Sequence, residues 1–181
     1  MKKLIILLVG LISISSLSAQ RIVTDEIDKF SGDRIIETST LETGRPMEAH
    51  YKLRQVNDSL FLCIRIKNIK KIDIKENIAP LMLLMRSGDK INLTGEIENM
   101  FSKERNHSIH WGGGISSGGA KKVTDVLISA YIPKDILMAL CNDDVTDIRI
   151  SIGNTNIDKS FEYMYSYKRL RKMFDLMRDQ K

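Results

Sequence analysis

Apolar and polar residues alternate with a period of two over most of this chain, the mark of strands that bury one face. The clearest run is EAHYKLRQVNDSLFLCIRIK. A two-residue turn at Asn57 and Asp58 pairs Val56 with Ser59 and sets Leu53 opposite Leu62, Tyr51 opposite Ile64 and Ala49 opposite Ile66. The other face then pairs Arg54 with Phe61, Lys52 with Cys63, His50 with Arg65 and Glu48 with Lys67. Both faces are sensible in one register, so the pattern predicts a hairpin with a turn of the primed kind that follows strand twist.

Two more hairpins flank it. DKFSGDRIIET and LMLLMRSGDKINLT each place Ser-Gly-Asp between strand-like runs, with glycine supplying a positive φ. KVTDVLISAYI carries Val126, Ile128, Ala130 and Ile132 on one face, and VTDIRISI carries Ile148, Ile150 and Ile152. Between them PKDILMALC predicts a short helix with Pro133 at its start, Asp135 in its first turn and Ile136, Leu137 and Leu140 inward. FEYMYSY reads as a further strand, with Phe161, Tyr163, Tyr165 and Tyr167 on one side, and KRLRKMFDLMRDQ as a helix with an apolar stripe of Leu170, Met173, Phe174 and Met177. ENMFSKERNH reads as a charged, solvated loop in which Met100 and Phe101 cover an edge. The expected fold is mainly β: an antiparallel β-sandwich, or a barrel, with one short crossover helix and a C-terminal helix that closes the body.

The first nineteen residues break this pattern. Lys2 and Lys3, an apolar run from Leu4 to Ile12, and small residues ending at Ala19 have the three-part layout of a secretory signal peptide. Serines 13, 15, 16 and 18 leave the run shorter than a membrane span requires. Residues 1–19 are therefore expected to be cleaved, leaving 20–181 as one β-rich domain in the periplasm or outside the cell. Without Lys2 and Lys3 the formal net charge falls from +5 to +3, too small and too scattered for a nucleic-acid footprint. Cys63 and Cys141 sit in apolar runs and lack a CxxC partner, so they read as small buried hydrophobes; export would also permit a bridge between them.

Candidate chemistry is confined to HSIHWGGGISSGGAKK, which holds two of the three histidines, the one tryptophan and five glycines. His107 and His110 would share a helical face, but the glycines oppose a helix, and an extended strand separates them onto opposite faces. No metal and no cofactor is expected there. Trp111 beside glycines is a candidate platform for stacking on a sugar or an aromatic ligand. Gly114–Gly118 spells G-x-S-x-G around Ser116, yet a nucleophile elbow needs a helix after the serine and a histidine later in the chain, and a strand pattern follows instead. Lys121 and Lys122 are not placed as in a phosphate-binding loop. The expected role of this segment is a glycine-rich connection between strands, with His107, His110 and Trp111 as ligand-binding candidates and no catalytic residue. His50 is expected to face solvent.

DKFSGDRIIETST, the SGDKINL hairpin and YIPKDILMALCNDDVTDIRIS together resemble a pattern in small exported proteins of Gram-negative bacteria. In that family a D-x-F-[ST]-G segment opens the chain and a strand, a Pro-led helix and a strand ending in I-R-I close it. The resemblance implies a sandwich-like fold and export, and carries no activity. The expectation for function is an exported, non-enzymatic binding domain of the cell envelope, its partner an envelope protein or a glycan rather than nucleic acid. Two other classes stay open: a small metal-assisted or serine hydrolase using residues 107–118, and a membrane-surface protein using the basic C-terminal helix.

Overall fold

The computed structural model describes residues 20–43, 48–69, 74, 76–111, 115–162 and 166–180, with the backbone alone for the strand residues from 104 to 121. Among them run β1 (Ile22–Ile27), β2 (Arg34–Thr38), β3 (Leu41–Thr43), β4 (Ala49–Val56), β5 (Ser59–Ile69), β6 (Ile78–Met85), β7 (Lys90–Trp111) and β8 (Ile115–Ile132). Helix α1 (Lys134–Asn142), β9 (Val145–Ile152), β10 (Thr155–Ser160) and helix α2 (Ser166–Arg178) follow. All ten strands join one antiparallel sheet in the order β1-β2-β4-β5-β8-β7-β6-β9-β10, with β3 also on β4. The sheet is not closed into a barrel.

The Asn57–Asp58 hairpin has the register that alternation demands, from Val56↔Ser59 to Ala49↔Ile66. Leu53, Leu62, Tyr51, Ile64, Ala49 and Ile66 are all buried. Asn57 has φ 51°, the positive value a primed turn needs at its first central position, while Asp58 does not share it, so the turn is not the doubly positive form. The two Ser-Gly-Asp connections also close hairpins, β1 with β2 and β6 with β7, with Gly32 at φ 78° and Gly88 at φ 95°.

The core lies on the inner face of the curled sheet. Val126, Ile128, Ala130 and Ile132 of β8 and Ile148, Ile150 and Ile152 of β9 point into it. Helix α2 fills the space with Leu170, Met173, Phe174 and Met177, the whole apolar stripe. It touches β3, β4 and β9, strands far apart in the sheet order, so the sheet bends around it in a sandwich-like way. Phe161, just after β10, meets Tyr51 of β4 edge-on at 5.0 Å between ring centroids. Helix α1 starts after Pro133, carries Asp135 in its first turn and brings the chain from β8 to β9; Leu140 is buried and Ile136 and Leu137 pack on the core.

Three local expectations are corrected. The segment 98–107 is not a loop but part of the 22-residue β7, because β8 runs beside it from Asn99↔Leu127 onward. The glycine-rich run from Ile115 is likewise strand β8 rather than a flexible connection. The aromatic run does not continue as a strand: Phe161 sits in a bend, residues 163–165 lie outside the described residues, and Tyr167 belongs to α2, where 3.6-residue spacing from Ser166 buries Tyr167 and Leu170 together. The proposed signal segment, 1–19, also lies outside the described residues.

Candidate functional site

Neighbouring strands stop well before the β7–β8 hairpin does. The last pair of β5 with β8 is Ile69↔Thr124, and the first pair of β6 with β7 is Ile78↔Glu96. From Lys103↔Val123 to Trp111↔Ile115 the two strands pair only with each other among the described residues. That is a two-stranded ribbon about 25 Å long at strand rise per residue. His107, His110 and Trp111 all fall on it, His107 opposite Gly119, His110 opposite Ser116 and Trp111 opposite Ile115.

Alternation places positions 107 and 111 on one face of the ribbon and position 110 on the other, so the backbone separates the two histidines. Ser116 lies within β8, and strand continues from it to Ile132 with no helix before Lys134, so the elbow geometry is absent. The register does place a histidine across from this serine, a juxtaposition that sequence order conceals. On that same face the next positions are Ser108↔Gly118 and Asn106↔Ala120, and the first carboxylate is Glu104, about 20 Å along the strand from position 110. A base-orienting acid at that distance cannot serve a triad.

At the foot of the ribbon, on the outer face of the sheet, lies a half-open groove of about 410 Å³. Its walls include His50 and Lys52 of β4 and Arg65 of β5, and its floor Cys63, Leu127 and Phe101. The cross-strand pairs Lys52↔Cys63, His50↔Arg65 and Arg65↔Leu127 bring these residues together. Leu127 and half-exposed Phe101 are apolar side chains on the solvent side of the sheet, where alternation calls for polar ones.

Two carboxylates organise the charge. Glu37 takes the Lys52 ammonium at 2.7 Å and the Arg54 guanidinium at 3.6 Å. Asp125, only 3% exposed at its side chain, takes Lys103 at 2.9 Å and Arg65 at 3.3 Å and accepts the Asn68 N–H at 3.0 Å. Burial alone would raise the Asp125 carboxyl, but the Asn68 amide, Lys103 and Arg65 outweigh it and hold it below the usual carboxylate range. The Asn68 contact depends on a register shift between Ile66 and Ile69, where Asn68 adopts φ 63°. Nδ1 of His50 lies 3.3 Å from Glu42. Each of Glu37 and Asp125 thus serves two cations.

A second cleft, about 660 Å³, lies between the Asn57–Asp58 turn, α1 and the end of α2. Its cations are Arg34, paired with Asp25, Arg178, paired with Asp175 and Asp179, and Lys134.

The cysteine thiols are both free and buried. Burial pushes Cys63 up, and burial with the nearby Asp175 carboxylate pushes Cys141 up to about 11, so neither is an activated nucleophile. No three of His, Cys, Asp and Glu converge as a metal set among the described residues. No described helix is long and apolar enough to cross a membrane, and the apolar stripe of α2 is spent on the core.

Sequence reading placed His50 opposite Arg65 correctly but did not recognise the groove. Phe101 of β7 lines it, Glu37 of β2 and Asp125 of β8 hold its cations Lys52 and Arg65, and Lys103 of β7 shares Asp125; only the strand order makes those neighbours. The available signal was apolar residues at solvent-side positions, Phe101 and Leu127. The chain matches no family model, no curated protein and no solved structure.

Proposed function

We propose that the protein is an exported, non-enzymatic binding domain of the cell envelope that meets an envelope protein or glycan through the β7–β8 ribbon. One observation carries the reading: the strand pair from Lys103↔Val123 to Trp111↔Ile115 runs on past both neighbouring strands. A lone two-stranded ribbon is marginal in water, and among the described residues no other strand pairs with either of its edges. Such an extension is suited to contact. His107, His110 and Trp111 lie on it, with Trp111 at the far end of the described pairs. The signal-like layout of residues 1–19 supports the envelope as the place of action.

The test replaces residues 104–122 with an Asn-Gly turn that joins Lys103 directly to Val123, already a register pair. The shortened protein should keep its thermal midpoint within a few degrees and lose cross-linking to its partner in intact cells. Equal cross-linking by the shortened and full chains would refute the ribbon as the binding element. Export is read separately, from the intact mass of the periplasmic or secreted protein, which should lack residues 1–19; a stable form retaining Met1 would count against it.

A further inference from the structure

We infer that the outer-face groove at the foot of the ribbon is a small-molecule site for an amphipathic organic anion, a single carboxylate on an aliphatic or aromatic body. The inference is independent of what the ribbon contacts. Its volume, about 410 Å³, lies in the range of ligand clefts. The surface is divided chemically. Lys52 and His50 stand on β4 with Arg65 beside them on β5, opposite His50, and Leu127 of β8 and Phe101 of β7 form the apolar side, with Cys63 across from Lys52.

The donors are not exhausted by their ion pairs. Lys52 gives one hydrogen bond to Glu37 from an ammonium with three N–H groups, and Arg65 gives one to Asp125 from a guanidinium with five. Both carboxylates are also shared, with Arg54 and Lys103. On the same face as Lys52, the buried Arg54 Nε–H lies 3.6 Å from Glu37 and has no hydrogen-bond partner among the described residues. A carboxylate placed between Lys52 and Arg65 would use donor capacity that the protein leaves open, while its body covered Leu127 and Phe101. An inorganic anion would use only the first half of this surface and a neutral alcohol only the second.

Isothermal titration with octanoate, octanol and inorganic phosphate tests the assignment on the full-length mature chain. Octanoate should bind one per chain, with affinity that falls as salt rises, and octanol and phosphate should each bind at least tenfold more weakly. Lys52→Met and Arg65→Met should each weaken octanoate about tenfold or more, the size of one charge-assisted hydrogen bond. Neither variant strands a carboxylate, since Glu37 keeps Arg54 and Asp125 keeps Lys103, so folding is retained and circular dichroism checks it. Phe101→Ala, at a half-exposed position, should weaken octanoate and leave phosphate unchanged. Absence of saturable octanoate binding overturns the proposal. So does octanol or phosphate binding as tightly as octanoate, or octanoate affinity untouched by both Lys52→Met and Arg65→Met.

Discussion

The β4–β5 and β7–β8 hairpins lie side by side in one sheet and live in different physical surroundings. Along β4–β5 the inner face is sealed by α2 and Phe161, and β2, β3 and β8 cover its outer edges. The first half of β7 is similarly enclosed between β6 and β8, but the second half runs on with β8 as its one strand partner among the described residues. Stability is thus concentrated in the first hairpin and in the root of the second. The distal ribbon adds reach, and its cost is borne by the body.

The largest test of this contrast is on the enclosed side. Phe174 of α2 is fully buried beneath the curled sheet, so Phe174→Ala should cost about 3 to 5 kcal/mol as a truncation that leaves a cavity. Chemical denaturation measures it. A loss below about 1 kcal/mol would mean that α2 does not seal the body and that the two hairpins differ less than the geometry implies.

Next comes the point where β7 still passes through the body. A Cβ added at Gly95 would sit 2.6 Å from Cγ2 of Ile128 and 2.9 Å from the Ala79 carbonyl oxygen. The second neighbour is backbone, so β6 and β7 must move apart, and Gly95→Ala should cost about 1 to 3 kcal/mol. A neutral Gly95→Ala would show that the root of the ribbon is loosely held.

The same contrast explains what could be read from the sequence. Alternation is a record of burial, so Leu53, Leu62, Tyr51 and Ile64 announced their strands, pairing and register together. Residues 98–107 are mostly polar, and that run resembled a loop; pairing with β8 makes them a strand. The aromatic run near Tyr167 misled in the opposite sense, because period two and a helical start agree over so few residues. The groove was illegible for a third reason. Lys52, Arg65, Phe101, Lys103 and Asp125 come from four strands, and the order β4-β5-β8-β7 cannot be obtained from the local pattern of any one of them.

Asp125 stands at the boundary between the two regimes, tying β5, β7 and β8 through Arg65, Lys103 and the Asn68 amide. Asp125→Asn should lower stability by about 1 kcal/mol at neutral pH. The sign of the pH dependence follows from the lowered carboxyl: its contribution is complete above the unfolded value of about 3.9 and is lost as pH falls through the lower folded value. The gap between wild type and Asp125→Asn should therefore be constant from pH 7 to about pH 5 and close below about pH 4. A gap that widens in acid would show that the ion pairs at the ribbon root are not what Asp125 contributes.

The smallest effect belongs to the ribbon itself. Gly118 and Gly119 lie opposite Ser108 and His107, where β8 has no strand partner but β7 among the described residues. Glycine lowers strand stability through backbone entropy, so Gly118→Ala and Gly119→Ala remove a slight local penalty at positions that bear little on the body. Each should change global unfolding by less than about 0.5 kcal/mol, in contrast with Gly95→Ala in the same hairpin. Thermal and denaturant midpoints of the three variants, measured side by side, give the contrast directly. If Gly118→Ala proved as damaging as Gly95→Ala, other atoms would have to approach β8 as closely there as the Ile128 side chain and the Ala79 carbonyl approach Gly95. The distal ribbon would then be a packed element of the body, and its reading as a contact arm would fall with the comparison.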